Sequence, residues 1–295
     1  MTFLQAIVSN DLEGLPAGGG AYATYLTPQG RLIADLAVMN RGDALLVDLP
    51  ASVAAAVARR LDDGVFAEDV QVHDVSSDTC EILVVGGHAA RALVSVATLP
   101  PEQLLEMPEL WQSGSGERFV ARSLDTHLPT FRLFMPASLR QEVVSTLQNA
   151  GAQEVPFALF DALRIEQGRP MFGADLTDET IPLEAGLLDR MISTTKGCYV
   201  GQEVIIRILH RGGGRVAKRL VMLTLDVQPG EQLPARGARL MIDGRDVGWL
   251  TSVAHSPRGA GAVALGYVHR DAAETGNRIS VTGCAGHAEI IGLAR

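Results

Sequence analysis

Six stretches towards the C-terminal end decide how this chain is read: VMLTLDV (221–227), ARLMID (238–243), DVGWLTSVA (246–254), AVALGYV (262–268), RISVT (278–282) and AEIIG (288–292). Each is short, rich in Val, Leu, Ile or aromatic residues, and bounded by Gly, Pro, Asp or Asn. Turn signals recur every ~8–12 residues, the spacing of strands in an all-β module. The pattern predicts a small antiparallel barrel or sandwich over 216–295.

Upstream the pattern changes. Residues 169–215 are irregular and rich in Gly, Pro, Asp and Thr. A long irregular stretch inside a folded chain is usually functional or disordered, and the apolar content here predicts order and therefore function. Before it, strand and helix signals alternate. Arg31–Met39 and Ala44–Leu49 read as strands joined by a tight turn at Asn40–Asp43. Pro50 opens a helix with Val53, Val57 and Leu61 on one face and Gly64 past its end. Val70–Val75 and Glu81–Val85 read as a second strand pair, followed by a helix over about 88–96. Pro100–Glu117 reads as a connector. Arg118–Ser123 and Thr130–Met135 are strand candidates, and helices follow Pro136 and span about Phe157–Gln167. The fold class is α+β, with lobes expected at 1–110, 111–215 and 216–295.

The chain has 295 residues, 47% of them apolar and 20% charged, so it can bury a sizeable core. Its formal net charge is −9, which argues against non-specific binding to nucleic acid or an anionic membrane. Cys80, Cys198 and Cys284 lie far apart and form no CxxC pair, so neither a disulfide framework nor a zinc site is indicated. The seven histidines show no HxxxH or HExxH spacing, and no metal site is expected. The opening MTFLQAIVSNDLEG lacks a basic n-region followed by an apolar run, and no stretch suggests a membrane span. A reducing cytoplasm is the expected setting. Of the 25 basic residues only Lys196 and Lys218 are lysines. A compact ammonium at these two places is either compositional drift or a requirement that a planar guanidinium does not meet.

The densest chemistry is Lys196-Gly197-Cys198-Tyr199-Val200-Gly201-Gln202-Glu203. A cation two residues from a thiol favours the thiolate, and the two glycines permit an exposed loop. The plainer alternative is a buried Cys198, with Gln202 and Glu203 capping the next helix. Glu166 closes an apolar helix. It is either solvated in the last turn or a bidentate acceptor for an N–H-rich ligand, such as a guanidinium or an aminopterin ring. Asp35 lies inside a strand and shares a face with Ile33 and Ala37, which weakens a purely solvated reading. Gly212–Gly214, between Arg211 and Arg215, is a weak anion-loop signal without the Walker pattern.

KGCYVGQE resembles the KGC[FY]xGQE signature of the YgfZ family, folate-binding proteins of iron–sulfur cluster assembly and repair. TFLQAIVSNDL resembles that family's FLQ…TND segment, which in the family usually follows a further strand. TPQGRLIADL resembles its TPxGR strand. ALRIEQGRPMFGADL…IPLEAGL and VGWLTSVAHSP…ALGYV resemble blocks shared with the wider aminomethyltransferase superfamily, the glycine-cleavage T proteins. The resemblance implies a multi-lobed cloverleaf with a C-terminal barrel and with tetrahydrofolate, or a derivative, as cofactor. It matches Glu166 to the acid that holds the pterin and Asp35 to the strand aspartate used in catalysis by the transferases. It makes Cys198 and Lys196 the signature catalytic positions, with Asp35 and Tyr199 also facing the cofactor. The implied partners are folate and iron–sulfur client enzymes or assembly proteins. The alternatives are a folate-dependent aminomethyl- or methyltransferase of the T type, and a folate-sensing module in which Cys198 is inert.

Overall fold

The computed structural model describes residues 1–228, 231–259 and 261–294. The chain divides into two units. The first comprises Met1–Tyr25, Ala34–Val155 and Thr195–Tyr199; the second comprises Leu26–Ile33, Pro156–Thr194 and Val200–Arg295.

The first unit opens with α1 (Thr2–Ile7). A three-stranded sheet follows, in the order β1 (Gly20–Leu26), β2 (Leu32–Asn40), β3 (Leu45–Asp48). The β2–β3 hairpin runs in the register Ala37↔Asp48 to Asn40↔Leu45, as the Asn40–Asp43 turn predicts. Helix α2 (Ala51–Asp62) buries Val57 and Leu61. The second sheet has the order β4-β7-β6-β5, built from β4 (Thr79–Val85), β5 (Gln112–Ser115), β6 (Arg118–Ser123) and β7 (Thr130–Pro136). Its core collects Leu93, Leu104, Val120, Phe131, Leu133 and Val143. Met39 of the first sheet packs with Phe119, Ala121 and Phe134 of the second. Helix α5 (Arg140–Asn149) follows the turn that Pro136 sets.

Three expectations need correction here. Val70–Val75 is not a strand: β4 takes β7 as its partner, along Thr79↔Pro136 to Val85↔Thr130. Alternating valines mark a half-buried surface, and without a neighbouring edge they form no ladder. The helix near 88–96 shrinks to α3 (Ala89–Ala92); β-branched Val94 and Val96 disfavour its extension. Pro100–Glu117 is more than a connector. Pro101 sits pre-organised in the first turn of α4 (Pro101–Glu106), Leu104 is buried, and β5 pairs with β6.

The second unit carries the predicted C-terminal module, a closed antiparallel barrel in the order β10-β11-β8-β13-β12-β9. Its strands are β8 (Lys218–Leu225), β9 (Arg239–Ile242), β10 (Arg245–His255), β11 (Ala262–His269), β12 (Arg278–Val281) and β13 (His287–Leu293). Leu223, Leu240, Leu250, Ile279 and Ile290 fill it, each burial contributing roughly 1.5–3 kcal/mol. Helix α6 (Phe157–Glu166) packs against β10 and β11. The stretch 169–215 is ordered as short pieces: a 3-10 turn (Pro182–Ala185), α7 (Leu188–Met191), α8 (Gln202–Ile206) and a π-helical turn (Arg207–Arg211). Among the described residues no helix is long and apolar enough to cross a membrane.

Candidate functional site

In the first unit, the Cys198 thiol is exposed, whereas Cys80 and Cys284 are partly covered. Its two neighbours in the motif are anchored. The Lys196 ammonium donates to the backbone carbonyls of Gln5 (2.6 Å), Val8 (2.7 Å) and Asn10 (2.8 Å). Burial lowers its pKa below that of a free lysine, with Asp11 and Glu13 pulling the other way. The ammonium also lies 5.4 Å from the centre of the Tyr199 ring, a cation–π arrangement. Tyr199 is only 6% exposed. Its hydroxyl is buried and forms no hydrogen bond with a described residue, and burial pushes its pKa up to about 12. The phenol therefore stays a neutral donor at physiological pH.

This geometry changes what Lys196 does. Its spacing suggests a cation placed to favour the Cys198 thiolate. The structure directs its donors to carbonyls in the last turn of α1 and just beyond it, so the charge fastens the loop to that segment. Gly197 is exposed, with open space where a side chain would go. Asp35 lies on β2, half-buried, with Oδ1 shielded from solvent, so it is not a freely solvated strand charge.

In the second unit, Gly201 is the glycine that the backbone requires. It adopts φ +83°, and a Cβ there would sit 2.5 Å from the carbonyl oxygen of Thr27. Both the left-handed conformation and the close approach exclude other residues. The TPQGR and KGCYVGQE blocks thus meet at Gly201, whose job is packing rather than loop exposure. Gln202 and Glu203 start α8, and Glu203 accepts from exposed Arg207 at 2.5 Å.

Glu166 ends α6 with its side chain only 14% exposed, and the Nε of Arg258, itself 58% exposed, lies 2.9 Å from its carboxylate. The solvated-turn reading of Glu166 does not hold. The neighbouring Arg164 is 3% exposed and its partner Asp175 has no exposed side-chain surface. Arg164 donates to Asp161 (2.8 Å), to the carbonyl of Arg169 (3.1 Å), to Ser252 Oγ (2.9 Å) and to Asp175. Asp175 also accepts from Thr251 Oγ1 (2.5 Å) and Ser252 Oγ (2.7 Å). This network ties the end of α6 to β10 and so sets the position of Glu166. Sequence reasoning missed Arg164, Asp175 and Arg258 as working residues. The available signal was that Arg164, Asp175, Thr251 and Ser252 all fall inside the superfamily blocks.

A second buried charge lies nearby in the same unit. Lys218 pairs with Glu184 at 3.6 Å and faces the rings of Trp249 (5.0 Å) and Tyr267 (4.8 Å). Burial raises the Glu184 pKa against the opposing pull of Lys218. A cavity of about 480 Å³ is lined by Lys218, Trp249, Tyr267, Thr180 and Arg236, among others.

The fold and these blocks define an aminomethyltransferase-like protein, and the comparisons agree. Residues 1–196 match the GCVT N-terminal domain and residues 218–290 match the glycine cleavage T-protein C-terminal barrel domain. The chain belongs to this glycine cleavage T-protein family. It is 28% identical over 288 residues to "Putative transferase At1g60990, chloroplastic" of Arabidopsis thaliana, covering 95% of this chain but 63% of that relative. It is 29% identical to an aminomethyltransferase of Nostoc, covering 94% of this chain and 74% of the relative. In structure it resembles the glycine cleavage system aminomethyltransferase T of Bartonella henselae, with a TM-score of 0.83 at 23% identity, over 99% of this chain and 80% of that one.

Proposed function

We propose that this protein is a tetrahydrofolate-binding accessory factor of the YgfZ type, supporting assembly or repair of iron–sulfur clusters in client enzymes. The observation that carries the reading is the exposed Cys198 thiol at the centre of KGCYVGQE, on a loop anchored on both sides.

The chain's own residues suit a folate ligand. Glu166 is largely shielded yet holds the exposed guanidinium of Arg258. A pterin presents an N–H-rich edge of similar donor geometry, so it can take the place of Arg258, which swings into water. Bound tetrahydrofolate would supply a one-carbon carrier. Cys198 meets the client or its cluster transiently, because one thiolate cannot provide the four ligands of a stable cluster.

A second reading, a folate-dependent aminomethyltransferase, is favoured by the half-buried Asp35 on β2 and by the names of the relatives. Two measurements separate the readings. Thermal-shift titration with tetrahydrofolate, formyl- and methyl-folates tests binding. One-carbon transfer to folate from an aminomethylated carrier tests turnover. Stabilisation by folate without transfer supports the accessory role. Transfer that Asp35→Asn abolishes, with affinity retained, moves the assignment to the enzyme.

A further inference from the structure

We infer that Lys196 is a positioning residue for Cys198, acting by clasping three backbone carbonyls, and that arginine cannot replace it there. The inference rests on the proposal that the Cys198 thiol does the work.

The three acceptors, Gln5, Val8 and Asn10, lie within six consecutive residues and converge on one nitrogen at 2.6–2.8 Å. Three acceptors around one point match the three donors of a tetrahedral ammonium. A guanidinium spreads five donors in a plane over three nitrogens and has no single point that meets all three carbonyls. That requirement explains a lysine at this position in a chain with only two. Lys218, the other one, also sits where a compact cation fits, between two ring faces and Glu184.

The clasp determines where the thiol is presented. Thr195–Tyr199 groups with the first unit, although Thr194 and Val200 on either side group with the second. Within it, Lys196 is held by the carbonyls and Tyr199 is buried, with Gly197 and Cys198 exposed between them. Cys198 therefore lies in a short segment of the first unit that is fixed on both sides, by Lys196 and by Tyr199. Releasing Lys196 frees one end and lets the thiol wander without changing its chemistry.

The test uses the full-length protein. With only Lys196, Lys218 and the α-amine to label, peptide mass resolves methylation at Lys196 on its own. In the native wild type, reductive methylation of Lys196 should be at least tenfold slower than in the urea-unfolded chain; equal rates would overturn the clasp. In Lys196→Arg and Lys196→Met, hydrogen exchange over residues 5–10 and 195–199 should accelerate at least tenfold in both. The pH midpoint for alkylation of Cys198 should stay within about half a unit of wild type. Client-enzyme activity in cells lacking the wild-type protein should fall in both. Retained protection and full activity in Lys196→Arg would overturn the positioning role. A midpoint raised in Lys196→Met but kept in Lys196→Arg would instead make the charge itself the agent. Cys198→Ser separates the two claims. If it supports clients fully, the functional reading fails, while the labelling and exchange results still judge the clasp.

Discussion

Two anchored cations, one buried and one half-buried, hold their segments in opposite ways. Arg164, in the second unit, is met by charge: Asp161 and Asp175 flank it, and Ser252 and Thr251 fill the remaining positions on the acid. Lys196, in the first unit, is held at contact distance by dipoles: three peptide carbonyls and a ring face, with Asp11 and Glu13 adding a weaker pull. Opposite charges in a dry site attract strongly, and removing one leaves the other stranded. Carbonyls left behind by a lost ammonium can turn towards water at a partly exposed surface. The comparison therefore implies a stiff scaffold beneath Glu166 and a more easily released clasp beside Cys198.

The largest effect should come from the charged network. Arg164→Met should destabilise the protein by about 3–5 kcal/mol because it strands the buried Asp175, and Asp175→Asn by less, because Arg164 keeps Asp161. Urea unfolding reads this directly. A loss below about 1 kcal/mol would show that the second unit does not depend on the network. The double variant Arg164→Met/Asp175→Asn should recover part of the loss, since no fully buried charge then remains and only the partly exposed Asp161 lacks its partner.

The clasp comes next. Lys196→Met should cost roughly 2–3 kcal/mol, the order expected when buried acceptors lose a charged donor. Lys196→Arg should recover less than half of that. Full recovery would erase the contrast between a site built for a point cation and one built for a fork.

Glu166 is a smaller, ligand-linked test on the stiff side. Glu166→Ala should weaken tetrahydrofolate binding by at least about 1.5 kcal/mol, near tenfold, as for a lost hydrogen bond to a charged group. Arg258→Gln should strengthen binding modestly by removing the side chain that the ligand displaces. Calorimetry showing no change for Glu166→Ala would take this carboxylate out of the site.

The smallest effect is in alkali. The Tyr199 pKa rises from an ordinary 10.0 to about 12 in the folded protein. The native state then keeps a proton that the unfolded chain releases, so this contribution is complete below pH 10 and is lost between pH 10 and about 12. Lys196, whose pKa is lowered by burial, acts in the opposite direction, stability rising with pH as the unfolded chain approaches its ordinary 10.5. The raised pKa of Tyr267 adds to the alkaline loss. Tyr199→Phe should therefore melt with a shallower decline across pH 10–11.5 than wild type. An identical decline would mean that the phenol is not sheltered.

Some of this was legible in the sequence. The barrel was, because each of its strands carries its own apolar pattern and turn residues, and the β2–β3 hairpin was for the same reason. Val70–Val75 misled because alternation reports a half-buried face but says nothing of a partner edge. The Cys198 motif could be found by its composition and resemblance. The role of Lys196 could not, because its partners are the carbonyls of residues 5, 8 and 10, nearly two hundred positions away and independent of side-chain identity. The two readings of Glu166, solvated turn or acceptor, stayed open in the sequence for a similar reason. Its cover comes from Arg258 and its placement from Asp175 and Ser252, all remote in sequence.

The account stands most directly on the Cys198 thiol. The decisive measurement is iron–sulfur enzyme activity in cells lacking the wild-type protein and supplied with Cys198→Ser, alongside folate titration of the same purified variant. We expect a folded protein that binds tetrahydrofolate with unchanged affinity and fails to restore client activity. Restoration to the wild-type level would contradict the account and leave KGCYVGQE a packing motif around Gly201.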